Sequence, residues 1–151
     1  MDPKIIQGNL FTDDRGTIRF INDFDPYMCG VRRVYHVKDH QVNYVRAFHG
    51  HLCESKYVYV GKGSALIVIA KLIEDEVFPS GYRLSNEVNK FVLSDTSPKV
   101  LFIPSGYANG FKSLEQGTII TFYSTSTLEE SKGDDYRFDY ETLNVWKEDY
   151  R

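Results

Sequence analysis

Cysteine, basic excess and long apolar runs are all scarce in this chain. Its 151 residues hold two cysteines, Cys29 and Cys53, which do not form a C-x-x-C pair. Two cysteines in a chain of this size make no disulfide framework. Lys and Arg number 18 against 21 Asp and Glu, for a formal net charge of -3 and a pI of about 5.8. That balance advertises neither nucleic acid nor an anionic membrane as a partner, and it still leaves room for a local basic pocket. The longest uninterrupted apolar run, Ala65–Ala70, falls far short of the roughly 20 residues a membrane helix needs. The opening MDPKIIQGNL has no cationic region followed by an apolar one, so no secretory signal is read and a cytoplasmic protein is expected.

Aromatic residues are plentiful, with 11 Tyr and 10 Phe, and they favour β-structure. The length suits one domain with its own hydrophobic core. Short strand-like segments broken by turns follow one another. Thr17–Asp23 comes after the turn DDRG, and Gly30–Asp39 alternates Val31, Arg33 and Tyr35 with Arg32, Val34 and His36. Asn43–His51 is next, and Lys56–Leu72 reads as two strands bent at Gly61–Gly63. KFVLSD, KVLFIPSG and GTIITFYSTS complete the series. This spacing predicts an all-β sandwich or barrel. The tail from Leu128 onward is acidic and aromatic, and is expected as a short helix or an arm over the barrel mouth. No repeat, linker or low-complexity segment interrupts residues 1–151, which read as a single domain.

The chemistry concentrates in VRAFHGHL, Val45–Leu52. His49 and His51 share one face of a strand, because side chains there repeat every two residues. Such a pair holds a metal, moves protons or fills a core. Arg46 stands beside it and Lys56 follows. A neutral imidazole with an unperturbed pKa of about 6.5 suits proton abstraction near neutral pH. A neighbouring cation holds a phosphate or a developing oxyanion. The set therefore suits proton transfer next to a carbonyl. The metal reading is weaker. Glu54 follows His51 after only two residues, and Pro104-Ser-Gly-Tyr-Ala-Asn109 ends in asparagine, a poor ligand for zinc, iron or copper. His36 and His40 read as surface or structural residues.

DDRG, VRAFH, KYVYVGKG, VLSDTSPKVLFIPSGYANGF and TFYSTST stand in the order of the marks of the dTDP-4-dehydrorhamnose 3,5-epimerase family, which this chain resembles over about residues 10 to 140. VRRVYHV followed by RAFHGH is similar instead to the dTDP-4-keto-6-deoxyglucose 3,4-ketoisomerases. Both resemblances imply the cupin jelly roll, a double-stranded β-helix. The first also implies a homodimer. It makes His49 the base that removes a proton next to the C4 ketone, Lys56 the holder of the enolate, and Tyr123 the acid on the opposite face. It makes Arg15 and Arg46 the diphosphate ligands, with Arg15 reaching in from a neighbouring subunit. The second adds Arg33, Tyr35 and His51 to the pocket wall, with the two histidines shuttling a proton between neighbouring sugar carbons. Asn109 stands where the first family has a histidine near the pocket, and Ala47 where it has glycine. The family base leans on an aspartate that the sequence does not identify.

The resemblance thus implies a cofactor-independent isomerase without a metal, acting on a nucleotide-diphosphate-linked 4-keto-6-deoxy sugar. Epimerisation at C3, C5 or both needs an acid across the ring from the base. Ketoisomerisation needs the histidine pair on one side. A non-catalytic sugar-binding cupin is the third reading, since fold does not determine function.

Overall fold

The computed structural model describes residues 1–24, 30–148 and 151; Cys29 and Asp149–Tyr150 lie outside them. The strands are β1 (Lys4–Gln7), β2 (Asn9–Asp13), β3 (Gly16–Phe20), β4 (Arg33–Val37), β5 (Val45–His51) and β6 (Lys56–Lys62). They continue as β7 (Ser64–Glu74), β8 (Tyr82–Ser94), β9 (Lys99–Ile103), β10 (Tyr107–Ser113) and β11 (Ile119–Ser124). A five-residue helix α1 (Leu128–Lys132) and a two-residue strand β12 (Tyr136–Arg137) follow. One five-stranded sheet runs β1-β9-β6-β11-β4 and the other β12-β5-β10-β7-β8. The pairings are antiparallel, and from β4 to β12 consecutive strands change sheets except at the β7–β8 hairpin. That alternation is the jelly roll expected from the sequence.

The apolar side chains of the strands gather into three clusters. Val58, Val60, Ile67, Ile69, Leu101, Ile120 and Phe122 meet between the sheets. Ile6, Tyr57, Val100 and Phe102 form a second cluster, against which Ile21, Phe24, Val31 and Tyr123 pack. Phe48, Val68, Ala70, Leu84, Ala108 and Leu143 form the third, joined by Phe138, Val145 and Trp146 of the tail. Fully burying one such side chain is worth about 1.5–3 kcal/mol. The predicted bend at Gly61–Gly63 separates β6 from β7; Gly63 has φ 81°, a left-handed conformation favoured by glycine.

The fold departs from the pattern read in the sequence at β1 and β2, which precede the first segment read as a strand, at β10 and in the tail. β10 was not recognised, because YANGFKS is buried on both faces and shows no alternation. The end of the tail packs through Leu143, Val145 and Trp146 with Phe48 and Ala108. Its earlier part, α1 to β12, lies at the mouth of the roll. The β2–β3 hairpin forms a separate two-stranded sheet, turning at Asp14–Arg15. Among the described residues no helix is long and apolar enough to cross a membrane.

Candidate active site

A pocket of about 550 Å³ opens between the sheets. β4 contributes Arg33 and Tyr35, β5 contributes Arg46, His49 and His51, β6 contributes Lys56 and β10 contributes Asn109. The tail closes the mouth with Ser131, Lys132, Asp135 and Arg137. The register explains this gathering. Ser124 pairs with both Lys56 and Arg33, and Phe122 pairs with both Val58 and Tyr35. These residues therefore share the inner face of the first sheet. On the second sheet Asn109 pairs with His49 and Tyr107 with His51. Ala47 fits where the resembling family has glycine because Gly110 lies opposite it; a Cβ on Gly110 would stand 2.4 Å from the Ala47 Cβ.

Behind the histidines lies a buried carboxylate. The Glu54 side chain is fully buried and accepts hydrogen bonds from Arg33 Nη2 at 3.0 Å, from Ser131 Oγ at 2.9 Å and from Ser124 Oγ. Its Oε2 is 3.1 Å from His51 Nδ1. The same nitrogen is 2.5 Å from the carbonyl oxygen of Asp134. The Asp134 carboxylate accepts the backbone N–H groups of Leu52, Cys53 and Glu54 at 2.7, 2.9 and 3.1 Å. The tail is thereby clasped to the turn after β5. The His49 ring makes no hydrogen bond among the described residues. Beside it, Asp135 accepts from Arg137 Nε at 2.9 Å, and β12 sets Arg137 opposite His49.

Burial lowers the proton affinity of both imidazoles. Arg137 and Lys56 add to this at His49 against Asp135, and Lys56 adds to it at His51 against Glu54 and Asp134. Burial likewise pushes the Lys56 ammonium down, with Glu54 opposing. At Glu54 burial raises the carboxyl, but Ser124, Lys56, His51 and Ser131 together hold it below the usual range. The Tyr35 phenol is pushed up to about 12, chiefly by burial and then by the Glu54 charge. At neutral pH the site therefore presents neutral imidazoles, a protonated phenol and an ionised carboxylate behind them.

Of the residues singled out in the sequence, Arg33, Tyr35, Arg46, His49, His51, Lys56 and Asn109 meet in this one pocket. Tyr123 does not. It follows Phe122, so strand parity turns it to the other face of the sheet, where it packs with the cluster of Tyr57 and Phe102. The inward residue of that strand is Phe122, and Lys56 Nζ lies 5.9 Å from its ring centroid. Arg15 also lies outside. It sits at the hairpin tip with its side chain 83% exposed and its guanidinium 2.6 Å from Asp13. Arg46 is in the pocket wall, though its Nε is bonded to Asp39 Oδ1 at 2.8 Å. Glu54, weighed in the sequence only as a third metal ligand, faces His51 Nδ1 and is shared among hydroxyls and a guanidinium. No group of three His, Cys, Asp or Glu suited to a metal occurs among the described residues. Asp134, Asp135 and Arg137 were missed. Their only signal was the charge cluster GDDYR inside a tail that otherwise reads as acidic and aromatic.

The jelly roll thus gathers imidazoles, a phenol and a buried lysine in one pocket. The chain belongs to the dTDP-4-dehydrorhamnose 3,5-epimerase family, which it matches over residues 1–149. Spore coat polysaccharide biosynthesis protein SpsL of Bacillus subtilis (strain 168) is 26% identical over 111 residues, 71% of this chain and 70% of that protein. Among solved structures, a dTDP-4-dehydrorhamnose 3,5-epimerase from Bacillus anthracis str. Ames, with TDP and PPi bound, superposes with a TM-score of 0.74 at 21% identity. The match covers 95% of this chain and 83% of that one. A histidine-to-asparagine mutant of the 3,4-ketoisomerase QdtA from Thermoanaerobacterium thermosaccharolyticum, in complex with TDP-4-keto-6-deoxyglucose, gives 0.68 at 17% identity over 93% of this chain and 89% of its own. The structural likenesses establish the fold. The family establishes an isomerase that modifies a dTDP-linked sugar.

Proposed function

We propose that the chain epimerises a dTDP-linked 4-keto-6-deoxy sugar at a carbon flanking the ketone, C3, C5 or both. One observation carries this reading: His49 and His51 face Tyr35 from opposing sheets across a single pocket. An imidazole on one face of the sugar removes the proton that the carbonyl acidifies. Lys56 holds the enolate oxygen, in a pocket where an oriented cation counts for more than in water. Tyr35, protonated at neutral pH, returns a proton from the other face. It takes the role that the sequence pattern assigned to Tyr123. It stands one strand away from the expected position, stacked on Phe122 with ring centroids 5.0 Å apart. Arg33, Arg46, Lys132 and Arg137 give the acidic chain a basic pocket wall for the diphosphate, and Asn109 is a neutral donor beside His49. No cofactor is needed for these steps.

A second reading is favoured by the two histidines lying on one face of one strand. A same-face shuttle between them would move the ketone from C4 to C3, the 3,4-ketoisomerase reaction. Incubation with dTDP-4-keto-6-deoxyglucose in heavy water separates the two by NMR. Deuterium at C3 or C5 with inverted configuration supports epimerisation. Deuterium at C4 with the ketone at C3 replaces it by ketoisomerisation. Thermal stabilisation by the sugar nucleotide without exchange sinks both in favour of a binding protein.

The homodimer implied by the resemblance has its support in the β2–β3 hairpin. Phe11 and Ile18, cross-strand partners there, are 56% and 62% exposed. Arg15 at its tip serves a pocket only by reaching that of a second subunit. Light scattering on the wild type and on Phe11→Asp tests this; a monomeric wild type ends it. The name of the SpsL relative supports a place for the product in surface polysaccharide assembly.

A further inference from the structure

The geometry points to Glu54 as a positioning residue: together with Asp134 it keeps the His51 proton on Nδ1 and presents a bare Nε2 to the pocket. This rests on the proton-transfer reading above, and it gives the base role to His51, where the resemblance favours His49.

His51 Nδ1 lies 2.5 Å from a backbone carbonyl oxygen and 3.1 Å from a carboxylate oxygen. A carbonyl oxygen only accepts, and an ionised carboxylate only accepts. Glu54 is ionised at neutral pH, being held below the usual carboxylate range. Nδ1 must therefore donate. A neutral imidazole carries one N–H, so Nε2 keeps its lone pair. The opposite tautomer would set a nitrogen lone pair against two oxygens in a buried site, where unpaired polar groups are most heavily penalised.

Glu54 cannot easily yield. Arg33 of β4, Ser124 of β11 and Ser131 of α1 all bond its two oxygens, so three elements besides its own hold it in place. The turn that carries it is held in turn by the three N–H groups on the Asp134 carboxylate. His49 has no such hydrogen-bonded support: its ring makes no hydrogen bond among the described residues, and Asp135 acts on it only through its charge. A base whose far nitrogen is bonded to an acceptor is both oriented and made more basic. The groups facing His51 are Lys56 from β6, His49 from its own strand, and Glu54 and Asp134 behind it. Lys56 and burial keep the imidazole neutral, while Glu54 and Asp134 restore part of its basicity.

The test begins with histidine-labelled wild-type protein without substrate. At pH 8 the ¹⁵N spectrum of His51, assigned by its loss in His51→Asn, is expected to show a protonated Nδ1 and an unprotonated Nε2. A proton on Nε2 would overturn the proposal outright, and this readout needs no Glu54 variant to fold. Glu54→Gln is then expected to lower kcat about 10- to 100-fold with KM nearly unchanged. It should also move the acid limb of the kcat/KM profile to lower pH, because a group that favours protonated His51 is lost. Retention of kcat and of that limb would overturn the positioning role. Failure of the underlying reading is distinguishable, because it shows in the wild type as no exchange of any sugar proton.

Discussion

Strands β5 and β11 carry the same kind of signal and came out differently. In β5 the histidines are two residues apart, so they share a face whichever way the strand is turned. Both line the pocket. In β11 a single tyrosine was in question, and parity decides everything for a single residue. Phe122 and Ser124 point inward to the core and to Glu54, and Tyr123 points out. A pair at spacing two reports a relation within the strand. A lone residue reports only if the register is already known.

The largest effect expected from this contrast is on rate. His51→Ala should lower kcat/KM about 10²- to 10⁴-fold, the usual contribution of a general base. Tyr35→Phe should fall in the same range of about 10²- to 10⁴-fold for epimerisation, as the loss of a general acid. Tyr123→Phe should leave turnover within about threefold, since 1.4 kcal/mol is already tenfold and its hydroxyl is outside the pocket. Initial rates on a dTDP-linked 4-keto-6-deoxy sugar compare all three. Loss of activity in Tyr123→Phe with retention in Tyr35→Phe would reverse the facing of β11 described above.

Stability offers a second measure of the same strand. Phe122 is 1% exposed between the sheets, and Phe122→Ala should destabilise by about 3–5 kcal/mol. Tyr123 is half-buried against the outer cluster, so Tyr123→Ala should cost less, about 1–2 kcal/mol. Denaturant unfolding at pH 7.5 reads both. Equal losses would mean that the two faces are equally buried.

Titration comes next in size. Both imidazoles have proton affinities lowered from the ordinary 6.5 by folding. The unfolded chain then binds more protons than the folded one as pH falls below about 6.5, so stability should decline there. Glu54, lowered from 4.5, adds stability that is present above that value and lost as pH falls through its folded pKa. Urea midpoints should therefore drop from pH 7.5 to pH 5.5 and further towards pH 4. In His49→Gln/His51→Gln the first step should shrink while the second persists.

The smallest effect should come from Arg15. Its side chain is exposed and bonded to Asp13, so Arg15→Ala should change folding stability by no more than about 0.5 kcal/mol. A rise in KM with unchanged kcat would show that it reaches a pocket across a subunit boundary. An unchanged KM would remove it from the substrate site.

Much of this molecule was legible without coordinates, for reasons visible in particular residues. Aromatic and β-branched segments broken by Gly and Pro predict an all-β roll, and β4, β5, β6, β7, β9 and β11 overlap the segments read as strands. β10 escaped because burial on both faces erases alternation. The gathering of Arg33, Tyr35, His49, His51, Lys56 and Asn109 followed from motifs already in view. What stayed hidden was Glu54 with Asp134. They are 80 residues apart, and only the crossing of the tail over the end of β5 makes them partners.

Spacing along the chain settles which side chains share a face, because the two-residue period of a strand is a local property of the backbone. It put His49 and His51 on one face of β5, and both line the pocket. Which face turns inward, which carboxylate stands behind an imidazole, and which tyrosine looks across the pocket depend on how two sheets pair and pack. Those are properties of register and burial between distant segments, and only the folded molecule decides them.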